Sequence, residues 1–546
     1  MCGIISVFGF SELSLDKLKH SLESIRHRGP DYLGFSTDSN SFMGHVRLSI
    51  LDLESRSNQP FKTKELELVY NGEIYNYKEL KDELKMNSVK FSTSSDTEVL
   101  FEGYKKFGVS FFDKLRGMFA FVFHDKQQNK IIACRDPFGI KPLYYYKSNK
   151  GIIFTSQVSS IIELLGSKTH FSNWYEKDFT NFGTIQEPKT IVSDALAVKP
   201  GEIIEYSLET KSLKTLKSKS IAEYFNAKQT KLKKIDLLKL IENTLEESVK
   251  KHTVSDVPIG LFLSGGLDSA YLAVTLKKIG IKNLTAITIS FKEFKNHPQN
   301  EINRAIQIAK ELKINHYEYL VTKDEFLSDL DDIIRKMDQP SIDGINTYYA
   351  SKAAKKCSLK VVLSGCGGDE MLSGYTFYHN YDIIKNIINL FPKFMQDSAQ
   401  KLVNLFFSNP KFQNVIQSFK NPVDYWLVRR SLNYNNDLIN DFHYLKNKFK
   451  NQNSTVLQFM DISYYLKNQL LKDSDWASMA HSVELRTPFV DLDLLTKLSP
   501  HIEQISKIGK QNILSKILEN KLSKNILKSK KTGFAIPINI WLNEIG

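Results

Sequence analysis

The chain has 546 residues, 42% of them hydrophobic and 25% charged, with 26 glycines and 15 prolines. That is too long for a single core, and at roughly 100 to 200 residues per domain it implies two to four folded units with no disordered majority. Its net charge of +13 reads as solvated surface favouring anionic substrates, because the lysines are strewn along the chain with runs at residues 228–234 and 528–531 and form no nucleic-acid stripe.

Four cysteines without a CxxC pair exclude a disulfide framework and a zinc site. No apolar run approaches the length of a membrane span, so no membrane insertion is expected. The segment after Met1 lacks a basic n-region and turns polar by Ser11, so no secretory signal is read there and the expected location is cytoplasmic.

The chain opens Met1-Cys2-Gly3-Ile4-Ile5. Removal of Met1 would place a thiol and a free α-amine on one residue, and an α-amine titrating near pH 8 is a competent base. Cys2 could then act as both nucleophile and base. Up to about residue 205 the pattern is β-rich: short apolar or alternating runs at residues 4–10, 42–53, 66–70, 118–125, 130–135, 143–147 and 151–156 predict strands. Helical spacing appears at residues 14–25, 77–86 and 97–107. Residues 206–234 are rich in Lys, Ser and Thr, lose periodicity and predict a linker or peripheral extension.

From residue 235 to 546 the pattern becomes strand, glycine loop, helix. Residues 257–263, 284–291 and 360–363 predict strands, residues 270–278 and 301–312 helices, which together predict a doubly wound parallel sheet. Past about residue 375 the chain reads as mainly helical, with core-type aromatic and aliphatic stripes. Two strands end in similar loops, Ser264-Gly265-Gly266-Leu267-Asp268-Ser269 and Ser364-Gly365-Cys366-Gly367-Gly368-Asp369-Glu370. Both are expected at the carboxyl end of the sheet, where glycines let N–H groups converge on an anion. Asp268 and Asp369 are the expected Mg²⁺ ligands, since that ion takes few carboxylates and leaves its other positions to phosphates and water. With no GxxxxGK[ST] pattern, the loops suit cleavage between the α and β phosphates of ATP, with AMP left on the acceptor.

These segments, with Arg26-His27-Arg28-Gly29-Pro30-Asp31, Gly44-His45-Val46-Arg47-Leu48-Ser49-Ile50, Tyr70-Asn71-Gly72-Glu73-Ile74, Ser95-Asp96-Thr97-Glu98, Arg135-Asp136-Pro137-Phe138-Gly139, Ser482-Val483-Glu484-Leu485-Arg486-Thr487-Pro488-Phe489 and Lys531-Thr532-Gly533-Phe534-Ala535-Ile536-Pro537, resemble the glutamine-dependent asparagine synthetase family in order and across nearly the whole chain. The resemblance implies an α+β N-terminal domain of layered αββα, Ntn-hydrolase-like type, followed by an α/β synthetase domain. It implies that Cys2 attacks the glutamine amide and that Asn71 and Gly72 hold the oxyanion. Arg47, Leu48, Ile50, Glu73 and Asp96 would bind glutamine. ATP would contact Leu263, Ser264, Gly265, Gly266, Leu267, Asp268, Ser269, Ile289, Ser364, Gly365 and Lys510.

Cys366, Asp369 and Glu370 would form the acceptor and adenylate site, and ammonia would cross an enclosed route between the two centres. The implied activity is ATP-dependent amidation of a carboxylate through an acyl-adenylate, with aspartate as first-ranked acceptor and a sugar uronic acid of surface-polysaccharide assembly as the second. A tRNA-modifying ATP pyrophosphatase, a glutaminase serving sugar-phosphate chemistry and a non-enzymatic scaffold are the rival classes. The expected partners are glutamine, ATP and the carboxylate, with no nucleic acid and room for a homodimer.

Three departures bear on the acceptor. Cys366 stands where asparagine-forming members of the family carry glutamate, and a thiol is a poor replacement for a carboxylate base. Residues 340–348 differ from the expected aspartate pocket and look more like the polysaccharide branch. Ser156-Gln157 replaces a common Ser-Glu pair. The chain also stops soon after Trp541, where relatives run further in helices.

Overall fold

In the computed structural model, residues 2–294, 302–406, 411, 415–449, 452–528 and 536–543 are described. Residues 531–535 of the last family-like segment, residue 301 of an expected helix, and Met1 lie outside them.

Twelve strands build the first half: β1 (Gly3–Phe8), β2 (Tyr32–Asp38), β3 (Ser41–Arg47), β4 (Phe61–Lys62), β5 (Leu66–Ile74), β6 (Gly117–Asp125), β7 (Lys130–Arg135), β8 (Tyr144–Lys147), β9 (Ile152–Thr155), β10 (Ala195–Ala197), β11 (Glu202–Ser207) and β12 (Leu213–Ser218). They form two six-stranded antiparallel sheets, ordered β10-β8-β9-β1-β3-β2 and β12-β11-β7-β6-β5-β4. Strand alternation sorts the core into layers. On β1, Ile5 and Val7 turn outward onto Leu18 and Leu22 of the helix Leu15–Ser24. Ile4 and Phe8 turn inward and meet Val69, Ala120 and Val122 of the other sheet. That second sheet buries its outer face under the helices Tyr77–Met86 and Asp96–Phe107, through Leu80, Leu84, Val99 and Leu100. The result is the αββα sandwich expected.

Two local departures have physical causes. The expected strand at residues 42–53 ends at Arg47, because the Arg47 side chain bonds the carbonyls of Leu51, Asp52 and Glu54 and folds the following residues into a loop. β12 lies inside the stretch whose composition predicts a linker. It pairs β11 at the edge of its sheet, and its lysines face solvent; an edge strand protected by lysine looks like loop in composition.

The second half is built on β13 (Ile259–Phe262), β14 (Thr285–Phe291), β15 (Asn315–Val321), β16 (Val361–Leu363) and β17 (Glu484–Arg486), all parallel and ordered β15-β14-β13-β16-β17. The chain leaves β13 toward β14 on one side and returns to β16 on the other. That reversal opens a crevice at the carboxyl ends of β13 and β16, where α/β sheets bind ligands. Past residue 375 the described residues are mainly helical, as expected, with β17 the strand among them. The helix Ser454–Met460 runs on through the wide π turns of Asp461–Leu471 into the helix Lys472–Met479, and π geometry inside a helix is frequent at functional sites.

Candidate active site

Cys2 sits just ahead of β1 and is buried. Its N–H donates to Asn71 Oδ1 at 2.9 Å, which fixes the orientation of the Asn71 amide: with oxygen turned to that donor, Nδ2 faces the other way. Nδ2 is buried and has no hydrogen-bond partner among the described residues. A donor left so costs about 1–3 kcal/mol, and an oxyanion on a carbonyl attacked by the neighbouring thiol would accept from it. Gly72 follows with φ at +153°, and a Cβ there would stand 2.1 Å from the Met118 carbonyl oxygen, so no larger residue fits. Burial pushes the Cys2 thiol above its ordinary value, against the Leu48 N–H and the nearby Arg47 charge.

Around this pair lie the other residues of the proposed glutamine site. Asp96 Oδ2 accepts from the Tyr70 hydroxyl at 2.8 Å and the Ile74 N–H at 3.0 Å, and burial raises its pKa to about 6. Glu73 is buried and pushed well above the carboxylate range by burial and by the neighbouring Glu484. The Arg47 guanidinium is engaged by the carbonyls of its own loop and by Asn58 Oδ1 at 2.7 Å, so a substrate carboxylate would have to share it. Ile50 is packed in the core, and its carbonyl accepts the Asp256 N–H at 3.0 Å, tying the loop to the second half.

Residues without an expected role close this centre. Arg28, fully buried, donates from Nε to the Cys2 carbonyl at 3.1 Å and from both terminal nitrogens to Asp475, at 2.8 and 3.2 Å. Arg486 of β17 reaches Glu73 Oε1 at 3.4 Å, donates to Glu484 Oε1 at 2.6 Å and holds the carbonyls of His252 and Val254. Burial alone would raise Glu484; the amino-terminal charge, Arg486 and Lys141 outweigh it and hold it low. Both arginines belong to family-like segments quoted above, but nothing local in those segments announces a partner in the other half.

In the second half, residues 264–269 leave β13 and enter the helix Leu267–Lys278, with Gly266 at its amino end. Ser264 Oγ receives the Gly266 N–H at 3.4 Å and faces Ser269 Oγ at 3.2 Å. Leu263 donates to the Ile287 carbonyl at 2.8 Å, and Ile289 is buried at the end of β14. Ser364 donates its N–H to the Arg486 carbonyl at 2.8 Å. The two loops touch: a Cβ on Gly365 would come within 2.8 Å of Asp268 Cβ, and one on Gly368 within 2.5 Å of Asp268 Oδ1. That proximity brings Asp268 and Asp369 onto one cation, the ammonium of buried Lys510, 2.5 Å from each. Two carboxylates already converging on a positive charge fit a hard divalent ion with phosphate oxygens completing its sphere. Among the described residues no cluster of three or more His, Cys, Asp or Glu is placed to hold a metal ion.

A cavity of about 390 Å³ opens beside the second loop, lined by Cys366, Asp369, Glu370, Asp343, Asp473 and Tyr375 among others. Burial and the Glu370 charge push the Cys366 thiol up, so it stays protonated. Glu370 accepts the Tyr375 hydroxyl at 2.6 Å, and burial and Asp369 raise it to about 7. Asp473 is likewise raised to about 7, by burial and then Asp343. A second cavity of about 270 Å³ shares Asp343 and Tyr465 with the first and is walled by Phe182, Trp426, Tyr464 and Arg429. One carboxylate organises this wall: Asp461, fully buried, accepts from Arg430 Nε and Nη2 at 2.7 Å each, from Trp426 Nε1 at 2.6 Å and from the Tyr378 hydroxyl. Arg430 in turn lies over the Tyr465 and Tyr375 rings.

Comparison with known proteins bears on both halves. Residues 1–217 match the glutamine amidotransferase domain family and residues 240–545 the asparagine synthase family. Over its full length the chain is 29% identical to asparagine synthetase [glutamine-hydrolyzing] 1 of Bacillus subtilis, covering 88% of that protein. It is 29% identical to putative asparagine synthetase [glutamine-hydrolyzing] 2 of Methanocaldococcus jannaschii, over 90% of this chain and 100% of that one. A putative asparagine synthetase [glutamine-hydrolyzing] of Mycobacterium tuberculosis is 28% identical over 95% of this chain and 83% of its own. With the second family model alone spanning more than half of the residues, the chain belongs to the asparagine synthase family.

Proposed function

We propose that this protein hydrolyses glutamine at Cys2 and uses the ammonia to amidate a carboxylate that ATP has activated as an acyl-adenylate. The observation that carries the reading is that one chain holds both a buried cysteine beside an unsatisfied amide donor and a pair of aspartates on touching glycine loops, joined through the buried Arg28–Asp475 contact. Cys2 attacks the glutamine side-chain carbonyl, its amine takes the thiol proton, and Asn71 Nδ2 with the Gly72 N–H stabilises the oxyanion as ammonia leaves a thioester. Arg47 would pair with the substrate α-carboxylate, and Glu73 and Asp96 with its ammonium.

At the second centre, an acceptor carboxylate oxygen bonds to the α-phosphorus while the bond to the β-phosphate oxygen breaks and pyrophosphate departs. Ammonia then attacks the acyl carbon, AMP leaves, and a proton is lost to give the amide. Mg²⁺ held by Asp268 and Asp369 would neutralise the phosphate charge. Lys510 would follow the departing pyrophosphate, and backbone N–H groups at Gly265 and Gly266, with the helix end behind them, would hold the phosphates. Ammonia must cross between the centres unprotonated, which requires a path closed to water.

Aspartate is the acceptor that the names of the relatives support. A uronic acid is the second reading, favoured by Cys366 in place of a glutamate beside the 390 Å³ cavity. The test is the pair of half-reactions. Cys2→Ala should abolish amide formation from glutamine yet leave pyrophosphate release with ammonium chloride intact, and equal loss of both would refute the two-centre reading.

A further inference from the structure

We propose that the helical hairpin at residues 376–406 docks this protein on an anionic membrane surface, its apolar tip in the headgroup layer and its lysines against the lipid phosphates. The inference does not depend on the amidation reading. It begins from an apolar stripe that folding leaves unused. The helix Thr376–Asn389 already has the face that packing requires, because Phe377, Tyr381, Ile384 and Ile388 lie against the core. Ile383, Ile387 and Leu390, spaced by four and three residues, make another stripe in solvent, with Leu390 82% exposed.

The turn that follows extends this surface. Phe391, Phe394 and Met395 are all exposed, Phe394 to 69%. Single exposed apolar side chains are ordinary, but a set gathered at one tip marks an interaction surface. The turn is also firmly built: Gln396 Nε2 donates to the carbonyls of Ile388 and Phe391 at 3.0 and 2.9 Å, which ties the helix Lys393–Phe406 to the end of the first one. The tip therefore presents its apolar side chains with these two carbonyls already bonded, as entry into a headgroup layer demands.

Charge selects the partner. Between residues 383 and 420 the sequence has five lysines and one acidic residue, Asp397. Lys393 and Lys401 are exposed, and Lys401 stands seven positions after Phe394, two turns along the same stripe. Apolar side chains bordered by lysines are the composition of a helix that lies in a membrane interface, held by burial and by anionic lipid together. A second copy meeting this tip through a two-fold axis would press the same lysines against each other. The hairpin lies on the surface and does not cross it, since no described helix is long and apolar enough to span. The first helix starts directly after Tyr375, which lines the 390 Å³ cavity. Docking would thus hold that cavity within about 21 Å of the tip, the length of a 14-residue helix.

The experiment sediments the full chain with sucrose-loaded vesicles at low salt, of phosphatidylcholine alone or with about one third phosphatidylglycerol. Binding to the anionic vesicles should be at least about tenfold tighter than to the neutral ones. Phe391→Ser with Phe394→Ser should weaken it at least about tenfold and leave the unfolding temperature unchanged, because both side chains are exposed. Lys393→Glu with Lys401→Glu should erase the preference for phosphatidylglycerol. Wild-type protein that ignores both vesicles or binds them equally overturns the inference, as does binding that survives loss of the two phenylalanines. A dimer seen by sedimentation velocity without lipid, and split by the phenylalanine variant, would give the tip to a second copy and overturn it as well.

Discussion

Arg28 and Asp475 meet in a buried bidentate pair, 2.8 Å at the closer contact, and the same guanidinium holds the carbonyl of Cys2. The backbone of the proposed nucleophile is thereby fastened to the helix Lys472–Met479, whose Asp473 lines the 390 Å³ cavity. Removing one member of such a pair strands the other charge and costs about 3–5 kcal/mol. Asp475→Asn should lower the thermal unfolding temperature and also loosen the two reactions from each other. The ratio of glutamate formed to amide formed should rise above one in the variant. A ratio held at the wild-type value, despite lost stability, would reduce the contact to a structural brace.

Asn71→Ala removes a donor that has no partner among the described residues and that, on the proposed mechanism, would gain one when the oxyanion forms. The glutaminase kcat should drop on the order of 10²- to 10³-fold with a small change in KM, while ammonium-driven synthesis persists. Steady-state kinetics with each nitrogen source checks this.

Asp96 supplies a pH limb. Burial raises its pKa from the ordinary carboxylate range to about 6, and on the proposed mechanism it would have to be ionised to hold the glutamine ammonium. Below about pH 6 the kcat/KM for glutamine should therefore fall roughly tenfold per unit, and the limb should be weaker in kcat because bound ammonium favours the ionised form. The limb should vanish in Asp96→Asn, whose kcat/KM should be low and flat across pH 5 to 7.

Lys510 occupies the place between Asp268 and Asp369 that a divalent ion would share with phosphates. In Lys510→Met the two carboxylates repel, so the variant should unfold at lower temperature in buffer alone and regain stability on adding millimolar MgCl₂, by a larger increment than wild type. The additional replacement Asp369→Asn should erase that increment. Differential scanning calorimetry reads both, and pyrophosphate release should collapse in either background.

Glu370 connects stability to pH. Its folded pKa of about 7 lies above the unfolded value near 4.3, so the folded state binds the proton more tightly. The group is neutral in both states below about pH 4, and its burial becomes destabilising as pH rises from there to about 7. Glu370→Gln should raise the unfolding temperature at pH 8 and leave it nearly unchanged at pH 4. A stabilisation equal at both pH values would contradict the sign.

Legibility followed locality. The strand, glycine loop and helix at residues 259–278 were readable because each feature lies within a few residues of the next, and the loop reveals its purpose by what glycine permits. Cys2 and Asn71 stood out by chemical type, though only the fold brings them within 2.9 Å. Arg28 and Asp475, separated by 447 positions, look like two ordinary charges until burial makes them a necessity. Glu484 and Arg486 were visible as a motif but not as a bridge to Glu73, because nothing in Val-Glu-Leu-Arg says that β17 lies against the other half. β12 was hidden for the opposite reason: its lysines are what an edge strand needs and what a linker contains.

The carboxylate of Asp461 limits how the wall of the 270 Å³ cavity can change. Because it serves Arg430, Trp426 and Tyr378 together, losing Arg430 alone would strand its charge in the interior, while losing Trp426 or Tyr378 would strip it of one hydrogen bond. Substitution is more easily borne at the rim, where Arg429 and Ile342 are exposed and a lineage can change one residue at a time.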